Sequence, residues 1–244
     1  MVMGLGTGLG GTTIKVKGSG VVGIKVEDTG TIDATVMRLS IVGEGTGSGS
    51  KGVEFKGTGG TLMLNMVDVS GFATGVSASK GKLEMMGGSI TIKENGGKGY
   101  GLNMQGEANA ELMRTRIVGD RSGSNSTGVV MGSSKTLMLN SVDISEVKMG
   151  VSVEKGMVNM MGGTIMVKEN GTGLSVSGTG NATMMGGRIR GTDGKGTGVY
   201  MGSSKTLMLN SVDISNVGGS GTGKYGVQMT GEGTMVLMGG SIMG

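Results

Sequence analysis

A nine-residue pattern of alternating apolar and polar positions recurs along the chain. In each copy the second, fourth and ninth positions are almost uniformly apolar, and a Gly-Gly or Asn-Ser pair stands near the middle. Alternation with a period of two is typical of a strand with one buried face, and the middle pair indicates a corner between two short strands. The nine copies begin at Thr31, Thr61, Lys82, Asn109, Thr136, Met157, Asn181, Thr206 and Thr234.

A third strand is predicted after the loop that follows each copy, where the chain reads Gly-apolar-x-apolar. We attribute its first residue to a tight corner, because only Gly takes a positive φ without steric cost. The nine strands of this kind begin at Gly23, Gly52, Gly75, Gly101, Gly128, Gly150, Gly173, Gly198 and Gly226.

The copies belong to a longer repeat. The string GSSKTLMLNSVDIS occurs at residues 132–145 and again, unchanged, at 202–215. Three short strands per turn, with turns of 21 to 30 residues, predict an all-β fold, a single-stranded parallel β-helix of about ten coils. We expect the right-handed form, because parallel crossovers are nearly always right-handed and unequal turns do not fit a strict hexapeptide solenoid.

We interpret residues 1–244 as one β-helix domain. Residues 1–30 form a degenerate first coil and residues 234–244 an incomplete last coil. The coils between them are predicted at 31–60, 61–81, 82–108, 109–135, 136–156, 157–180, 181–205 and 206–233.

The eighth position of the copies alternates in charge with a period of three. It reads Arg, Asp and a hydroxyl residue in turn, and we expect it to face solvent with each Arg one coil from the next Asp. Such pairs would discourage slipped registers, since like charges stacked at strand spacing repel. A carboxylate array on a sugar-binding face is the alternative, although carboxylates three coils apart cannot form one catalytic pair. The expected pairs are Arg38 with Asp68, Arg116 with Asp143 and Arg188 with Asp213.

Methionine is abundant, with 24 residues. Met85, Met160 and Met184 share the inward fourth position, so we expect them to fill the core as flexible apolar side chains. The last inward position of the third strand predicts the same for Met104, Met131, Met201 and Met229. The pattern leaves open the orientation of a further set at the corner, namely Met86, Met113, Met161, Met185 and Met238.

Composition narrows the chemistry. The chain has no His and no Cys, which excludes an imidazole base, a thiolate nucleophile and the usual zinc ligands. Five aromatic residues and a net charge of +4, with basic residues dispersed among acids, disfavour nucleic-acid binding. No run of 18 apolar residues predicts a membrane-spanning helix. We expect no cofactor and no metal site.

The loops before the third strands carry most of the variation, and in a solenoid such loops stack along one edge that often binds partners. Two of them share the sequence Lys-Glu-Asn one super-repeat apart, and the three tyrosines lie next to or on third strands. The candidate binding residues are therefore Lys93, Glu94, Asn95, Tyr100, Lys168, Glu169, Asn170, Tyr200 and Tyr225.

The phrases GTG, LMLNSVDIS and MMGGSI, together with the absence of Cys, resemble the passenger-domain repeats of Gram-negative type V autotransporters. The likeness is to the Gly-rich, Met-containing passengers of Bartonella surface autotransporters, and it covers about residues 12–244. It implies a right-handed β-helix displayed on or released from the cell surface. Members of that group act as adhesins, as self-association factors or, in some cases, as pro-angiogenic agonists of an endothelial growth-factor receptor.

From this resemblance we expect a non-enzymatic virulence factor that binds a host cell-surface protein or the extracellular matrix, and that associates with itself through coil ends or faces. We expect the sequence to be a piece of an exported protein, without its signal peptide and outer-membrane translocator. One alternative is a polysaccharide lyase or hydrolase, for which Glu111, Arg114, Arg116 and Asp120 are the nearest cluster. The other is a self-associating structural stalk.

Overall fold

The computed structural model describes residues 2–3, 12–27, 30–94, 97–219 and 224–244. All regular elements within these ranges are strands, and every strand pairing is parallel, from coil to coil. The strands stack on three faces of one solenoid. The predicted all-β parallel β-helix with three short strands per coil is confirmed.

Within the described ranges, the first and second faces each contain ten strands and the third contains nine. The first face consists of β1 (Val2–Met3), β4 (Ala34–Met37), β7 (Thr61–Asn65), β10 (Lys82–Met86), β13 (Asn109–Met113), β16 (Thr136–Asn140), β18 (Met157–Met161), β20 (Asn181–Met185) and the first halves of β23 (Thr206–Ser215) and β25 (Thr234–Met243). The second face consists of β2 (Thr12–Lys17), β5 (Leu39–Glu44), β8 (Asp68–Phe72), β11 (Ser89–Ile92), β14 (Arg116–Val118), β21 (Arg188–Gly191), the beginnings of β17 (Asp143–Val153) and β19 (Thr164–Val176), and the second halves of β23 and β25. The third face consists of β3 (Val22–Val26), β6 (Lys51–Phe55), β9 (Thr74–Ala78), β12 (Gly99–Met104), β15 (Ser126–Met131), β22 (Gly196–Met201), β24 (Val227–Met229) and the ends of β17 and β19.

Equivalent side chains form continuous files inside the rod. Ile117, Ile144 and Ile165 are register partners in successive coils and are buried, as the ninth position predicts. The file continues toward the N-terminus through Ile41, which pairs with Val69. Leu39, the residue that the sequence pattern places in this file, pairs instead with Thr12 of β2. The pattern was two residues out of register in this coil.

The methionines of the fourth position fill the core as predicted. Met85, Met160 and Met184 are at most 1% exposed, and the third-strand residues Met104, Met131 and Met201 are fully buried. The expectation is wrong for Met229, which is 45% exposed. It lies on β24, which pairs only with β22 among the described strands, so no further strand covers it.

The corner between the first and second strands has a left-handed residue in each coil. Gly87 and Gly162 have φ of 65°, and Ser141 adopts a φ of 52° in the coil before Gly162. The next residue, the second of each corner, packs against the preceding coil. A Cβ at Gly163, which has a φ of 83°, would lie 2.2 Å from the carbonyl oxygen of Val142, so both the backbone conformation and the neighbouring coil require glycine at this position.

The glycine that opens each third strand has a different cause from the predicted one. None of the nine has a positive φ, so the corner explanation is wrong. A Cβ at Gly128 would lie 2.4 Å from Cγ2 of Ile144 and 2.7 Å from the carbonyl oxygen of Gly150. The equivalent contact with the β-branched residue of the ninth position is between 2.1 and 2.6 Å in all nine coils. We call this file of glycines against β-branched residues the glycine seam.

The charge column stacks as predicted from Asp68 onward but does not form ion pairs. Arg116 pairs in register with Asp143, and Arg188 with Asp213, yet neither pair is among the described contacts within 4.0 Å. The aspartates instead accept hydrogen bonds from the following coil, for example from the Thr164 amide to Asp143 at 3.0 Å.

Asp68 and Asp213 behave in the same way. They accept hydrogen bonds from the hydroxyls of Ser89 at 2.6 Å and Ser241 at 2.8 Å. The expected neighbour of Asp68 is also wrong, because Ser40 rather than Arg38 is its register partner. Arg38 occupies the left-handed corner with a φ of 51°.

Candidate functional site: a polar cleft on the third face

A cleft of about 470 Å³ lies on the third face, beside the loops that lead into β12 and β15. Three neighbouring strands, β12, β15 and the end of β17, form its floor. We call it the polar cleft. Its polar lining includes Lys98, Tyr100, Asn103, Gln105, Asn125, Lys148 and Glu154.

Strand register places the side chains of the floor. Leu102 and Met104 point into the core and are fully buried, so Asn103 between them points outward. Asn103 pairs with Val130, and Val130 with Ser152, which gives one row across three coils. Tyr100 and Thr127 begin a second, parallel row. The Gln105 side-chain amide donates to Oδ1 of Asn103 at 2.8 Å, which orients both amides.

The loop at residues 119–125 leads into β15 and borders the cleft through Asn125, the one residue of the loop in the cleft lining. Asp120 anchors this loop. Its carboxylate accepts hydrogen bonds from the hydroxyl of Ser122 at 2.7 Å and from the amide of Glu94 at 3.2 Å, and Lys93 Nζ lies 3.2 Å away. Burial raises the pKa of Asp120, but the hydrogen bonds from Ser122, Lys93 and Glu94 outweigh burial. The pKa is lowered from 3.8 to about 2.

The same loop is held by two more charged side chains. The Glu94 carboxylate accepts the backbone N–H groups of Ser124 at 2.9 Å and of Asn125 at 3.0 Å. Lys168 reaches the loop from the far side of the intervening coil. Its ammonium group donates to the carbonyl oxygens of Asp120, of Arg121 at 3.0 Å and of Gly123 at 2.8 Å. The three N–H donors of the lysine thus match three carbonyls.

These contacts give three of the predicted binding residues, Lys93, Glu94 and Lys168, an anchoring position within the chain. Their polar atoms hold the loop that carries Asn125. Asn95, the residue after Glu94, lies outside the described residues.

The second Lys-Glu-Asn segment, predicted as a loop, lies within β19 (Thr164–Val176). Glu169 and Asn170 are more exposed than Glu94. Glu169 Oε1 lies 2.9 Å from Nζ of Lys195, with both side chains about half exposed, and Lys148 Nζ donates to the carbonyl oxygen of Glu169 at 2.9 Å. Asn170 is exposed with a left-handed φ of 53°.

The three tyrosines do not meet. Tyr100 lines the polar cleft. The hydroxyl of Tyr200, four coils beyond Asn103 in the same row, accepts a hydrogen bond from Thr230 at 2.9 Å. Tyr225 is 41% exposed, next to the last described strand of the third face. Tyr100 is thus the predicted residue whose side chain is placed to meet a ligand in the cleft.

Sequence reasoning missed most of the cleft lining. Asn103, Gln105, Lys148 and Glu154 lie on β12 and β17 or directly after them, outside the sequence features that define the candidates. A signal was present in the variable x position of the Gly-apolar-x-apolar strands, which alternation points outward. Reading that column gives Asn103, Val130 and Ser152 in consecutive coils, the row that crosses the floor.

The nearest sequence cluster for an enzyme does not converge. Glu111 lies on the outer side of the first face and Arg116 on that of the second, whereas Asp120 is bound within its loop. Glu154 is the one carboxylate among the described residues that line the cleft, and glycoside hydrolysis ordinarily uses two. Within the described part of the chain, no three acidic side chains are grouped to hold a metal ion.

The described ranges include no helix long and apolar enough to cross a membrane. Comparisons of the chain with protein-family models, with curated proteins and with solved structures find no match.

Proposed function

We propose that the chain is the binding rod of an autotransporter-type passenger, displayed on or released from a bacterial surface, which engages a host cell-surface protein or matrix component without catalysis. The observation that carries the proposal is the polar cleft, a concavity of about 470 Å³ whose floor is formed by three neighbouring strands. The resemblance in repeat style supports the cellular setting, and the cleft supplies the surface that could bind.

The lining of the cleft favours a polar ligand. Small-molecule pockets are usually lined mainly by apolar side chains, whereas here amides, hydroxyls and charged groups predominate around a single aromatic ring, that of Tyr100. Planar amides and hydroxyls on a rigid strand floor, with an aromatic ring at one end, match the alternating polar edges and apolar faces of a saccharide chain. We therefore favour the glycan portion of a receptor or matrix component as the ligand.

The anchored loop supports binding by preorganisation. Asp120, Glu94 and Lys168 fix the loop that carries Asn125 before any ligand arrives, and a loop that need not be ordered on binding loses less conformational entropy.

The test is binding of the fluorescently labelled chain to cultured endothelial and epithelial cells, before and after enzymatic removal of surface glycans. We expect the double variant Tyr100→Ala/Gln105→Ala to reduce cell binding at least tenfold, and glycan removal to do the same. Tyr225→Ala is the matched control, because Tyr225 is an exposed tyrosine beside the same face but away from the cleft. It should bind like the unaltered chain.

Other outcomes identify the rivals. Equal loss with Tyr225→Ala would contradict a role specific to the cleft. Binding that survives both cleft substitutions would favour a stalk whose association does not use this surface. Release of unsaturated or reducing ends from acidic polysaccharides, abolished by Glu154→Gln, would show an enzyme instead of a binding protein.

A further inference from the structure

The corner methionines, whose direction the sequence left open, lie on the outside of the first face. Met86 is 43% exposed and Met185 is 46% exposed, while the residue before each is buried. Because alternate residues of a strand point to opposite faces, the whole file at this position points outward. It runs in register as Met3, Met37, Asn65, Met86, Met113, Asn140, Met161, Met185, Asn210 and Met238.

The order of this outer file divides its methionines into pairs. Met86 is the register partner of Met113, and Met161 is the register partner of Met185. Asn140 separates these two pairs, and Asn210 follows the second. Asn65 separates the first from a third register pair, Met3 with Met37. Met238 occupies the same position with a similar exposure of 43%, but its described neighbour in the file is Asn210.

The spacing of each pair suits a shared ion. Adjacent strands lie about 4.8 Å apart, so two thioethers that leave their strands in the same direction can approach to about that distance. A metal–sulfur bond is about 2.3 Å, so two such bonds on opposite sides of one ion span nearly the same length. Thioether sulfur is a soft, uncharged ligand that selects Cu(I) among the biological metals.

We propose that Met86 with Met113, and Met161 with Met185, form two surface sites for a soft monovalent cation, Cu(I) or its redox-stable analogue Ag(I). Each site takes one ion between two sulfur atoms from neighbouring coils. The proposal is independent of the polar cleft, which lies on another face. It involves binding only, with no change in the oxidation state of the ion.

Two other arrangements of methionine within the same chain serve as internal references. The pairs Met104 with Met131 and Met160 with Met184 are also in register, but they are at most 1% exposed, so an aqueous ion cannot reach them in the folded rod. Met238 is accessible but unpaired in the described file. Comparing exposed pairs, buried pairs and the exposed, unpaired Met238 therefore distinguishes three cases. Ion binding can require both pairing and exposure, pairing alone, or exposure alone.

The experiment uses a Met37→Leu chain, which lacks the third register pair, and all further variants are made in it. The methionine methyl groups are labelled with ¹³C and followed by NMR during titration with Ag(I) in chloride-free buffer, and with Cu(I) under ascorbate without oxygen. We expect the methyl signals of Met86, Met113, Met161 and Met185 to shift together and saturate at two ions per chain. Signals of the buried pairs and of Met238 should stay in place at that point, and Zn(II) should shift none of them.

Leucine substitutions test each site, because Leu keeps the apolar volume and lacks the sulfur. Met86→Leu and Met161→Leu should each lower the stoichiometry from two ions to one, and the double variant should abolish saturable binding. Met238→Leu, the matched control, should keep two. Unchanged melting temperatures of all variants without metal would show that the fold is intact.

Equal shifts of Met238 and the paired methionines would show binding to isolated thioethers and would overturn the proposal. Shifts with Zn(II) of the same size would point to neighbouring carboxylates such as Glu84 and Glu111, and would overturn it as well. The absence of any shift with Ag(I) up to millimolar concentration would do so directly.

Discussion

The inside and the outside of this rod repeat with different periods. The glycine seam recurs in every coil, with the same contact between a glycine and a β-branched residue nine times over. The outer charge column and the outer methionine file recur only every third coil, as Arg, Asp and hydroxyl or as Met, Asn and Met. Both kinds of file are in register over most of the rod, but only the inner one is the same in each coil.

The difference reflects how much room each position has. In the seam a single added carbon would lie within 2.6 Å of a neighbouring side chain, so every coil must meet the same steric condition. On the outside, a side chain meets solvent and its two neighbours in the file, and many residues satisfy that. A period of one coil therefore identifies positions whose residue is fixed by packing. A period of three coils identifies positions that differ between neighbouring coils and recur only with the super-repeat.

The largest expected effect among the tests of this contrast is the loss of stability caused by Gly128→Ala in the glycine seam. The new Cβ would stand 2.4 Å from Ile144 and 2.7 Å from the backbone of Gly150, and the backbone cannot yield as a flexible side chain does. We expect the free energy of unfolding to fall by about 1 to 3 kcal/mol, the usual cost of overpacking. Denaturant unfolding monitored by circular dichroism measures it.

The matched control is Gly97→Ala. Gly97 has nothing within 4 Å of its Cβ position and no left-handed φ, so the substitution should leave stability within about 0.5 kcal/mol. Equal costs at the two positions would show that the seam is not steric. Adding Ile144→Ala to Gly128→Ala should cost less than the sum of the two single changes, because the smaller residue makes room for the new methyl group.

A second prediction concerns the loop at residues 119–125 beside the polar cleft. This loop is held by charged and hydrogen-bonding groups, whereas the glycine seam depends on steric packing. Asp120→Asn keeps the shape but removes the carboxylate that Lys93, Ser122 and Glu94 contact. We expect a loss of about 1 to 2 kcal/mol at neutral pH, in line with hydrogen bonds to a charged group.

The loss should depend on pH in a defined direction. The pKa of Asp120 is lowered from 3.8 to about 2, so its stabilising contribution is complete above pH 4 and disappears as the pH falls toward 2. The stability difference between the unaltered chain and Asp120→Asn should shrink over that range, in urea unfolding curves recorded at each pH. A difference that stays constant from pH 5 to pH 2 would contradict the anchoring role.

The sequence was sufficient for the repeat and the three faces because alternation survives in every coil. It was less informative about causes. Gly128 was predicted as a turn residue, and only the coordinates show that Ile144 of the next coil occupies the space where its side chain would lie. A steric contact between strands from different coils leaves no mark in either strand alone. It becomes visible only when both columns are aligned and seen to be invariant together.

The candidate site was less predictable than the fold for a related reason. Lys93 and Glu94 were selected as exposed loop residues, but the partners that engage them come from the loop at 119–125, one coil away. Loop conformation is not periodic, so the repeat gives no information about which loop reaches which. Asn103 was accessible to sequence reasoning, since its outward direction follows from the buried Leu102 and Met104 on either side.

The smallest expected effect belongs to the outer charge column. The test compares the stability costs of two substitutions, Arg116→Ser and Asp143→Ala. Arg116→Ser places in this column a residue type already present at Ser89. Because Arg116 and Asp143 are register partners without an ion pair among the described contacts, we expect a change below about 0.5 kcal/mol. Asp143→Ala removes the acceptor of the Thr164 amide and should cost about 0.5 to 1.5 kcal/mol.

If the arginine and the aspartate formed a stabilising pair, the two substitutions would cost similar amounts, couple in the double variant and lose their effect in 1 M salt. Thermal unfolding of the four proteins at low and high salt distinguishes these outcomes, and a cost confined to Asp143 would place the column's contribution in hydrogen bonds to the following coil rather than in its alternating charge.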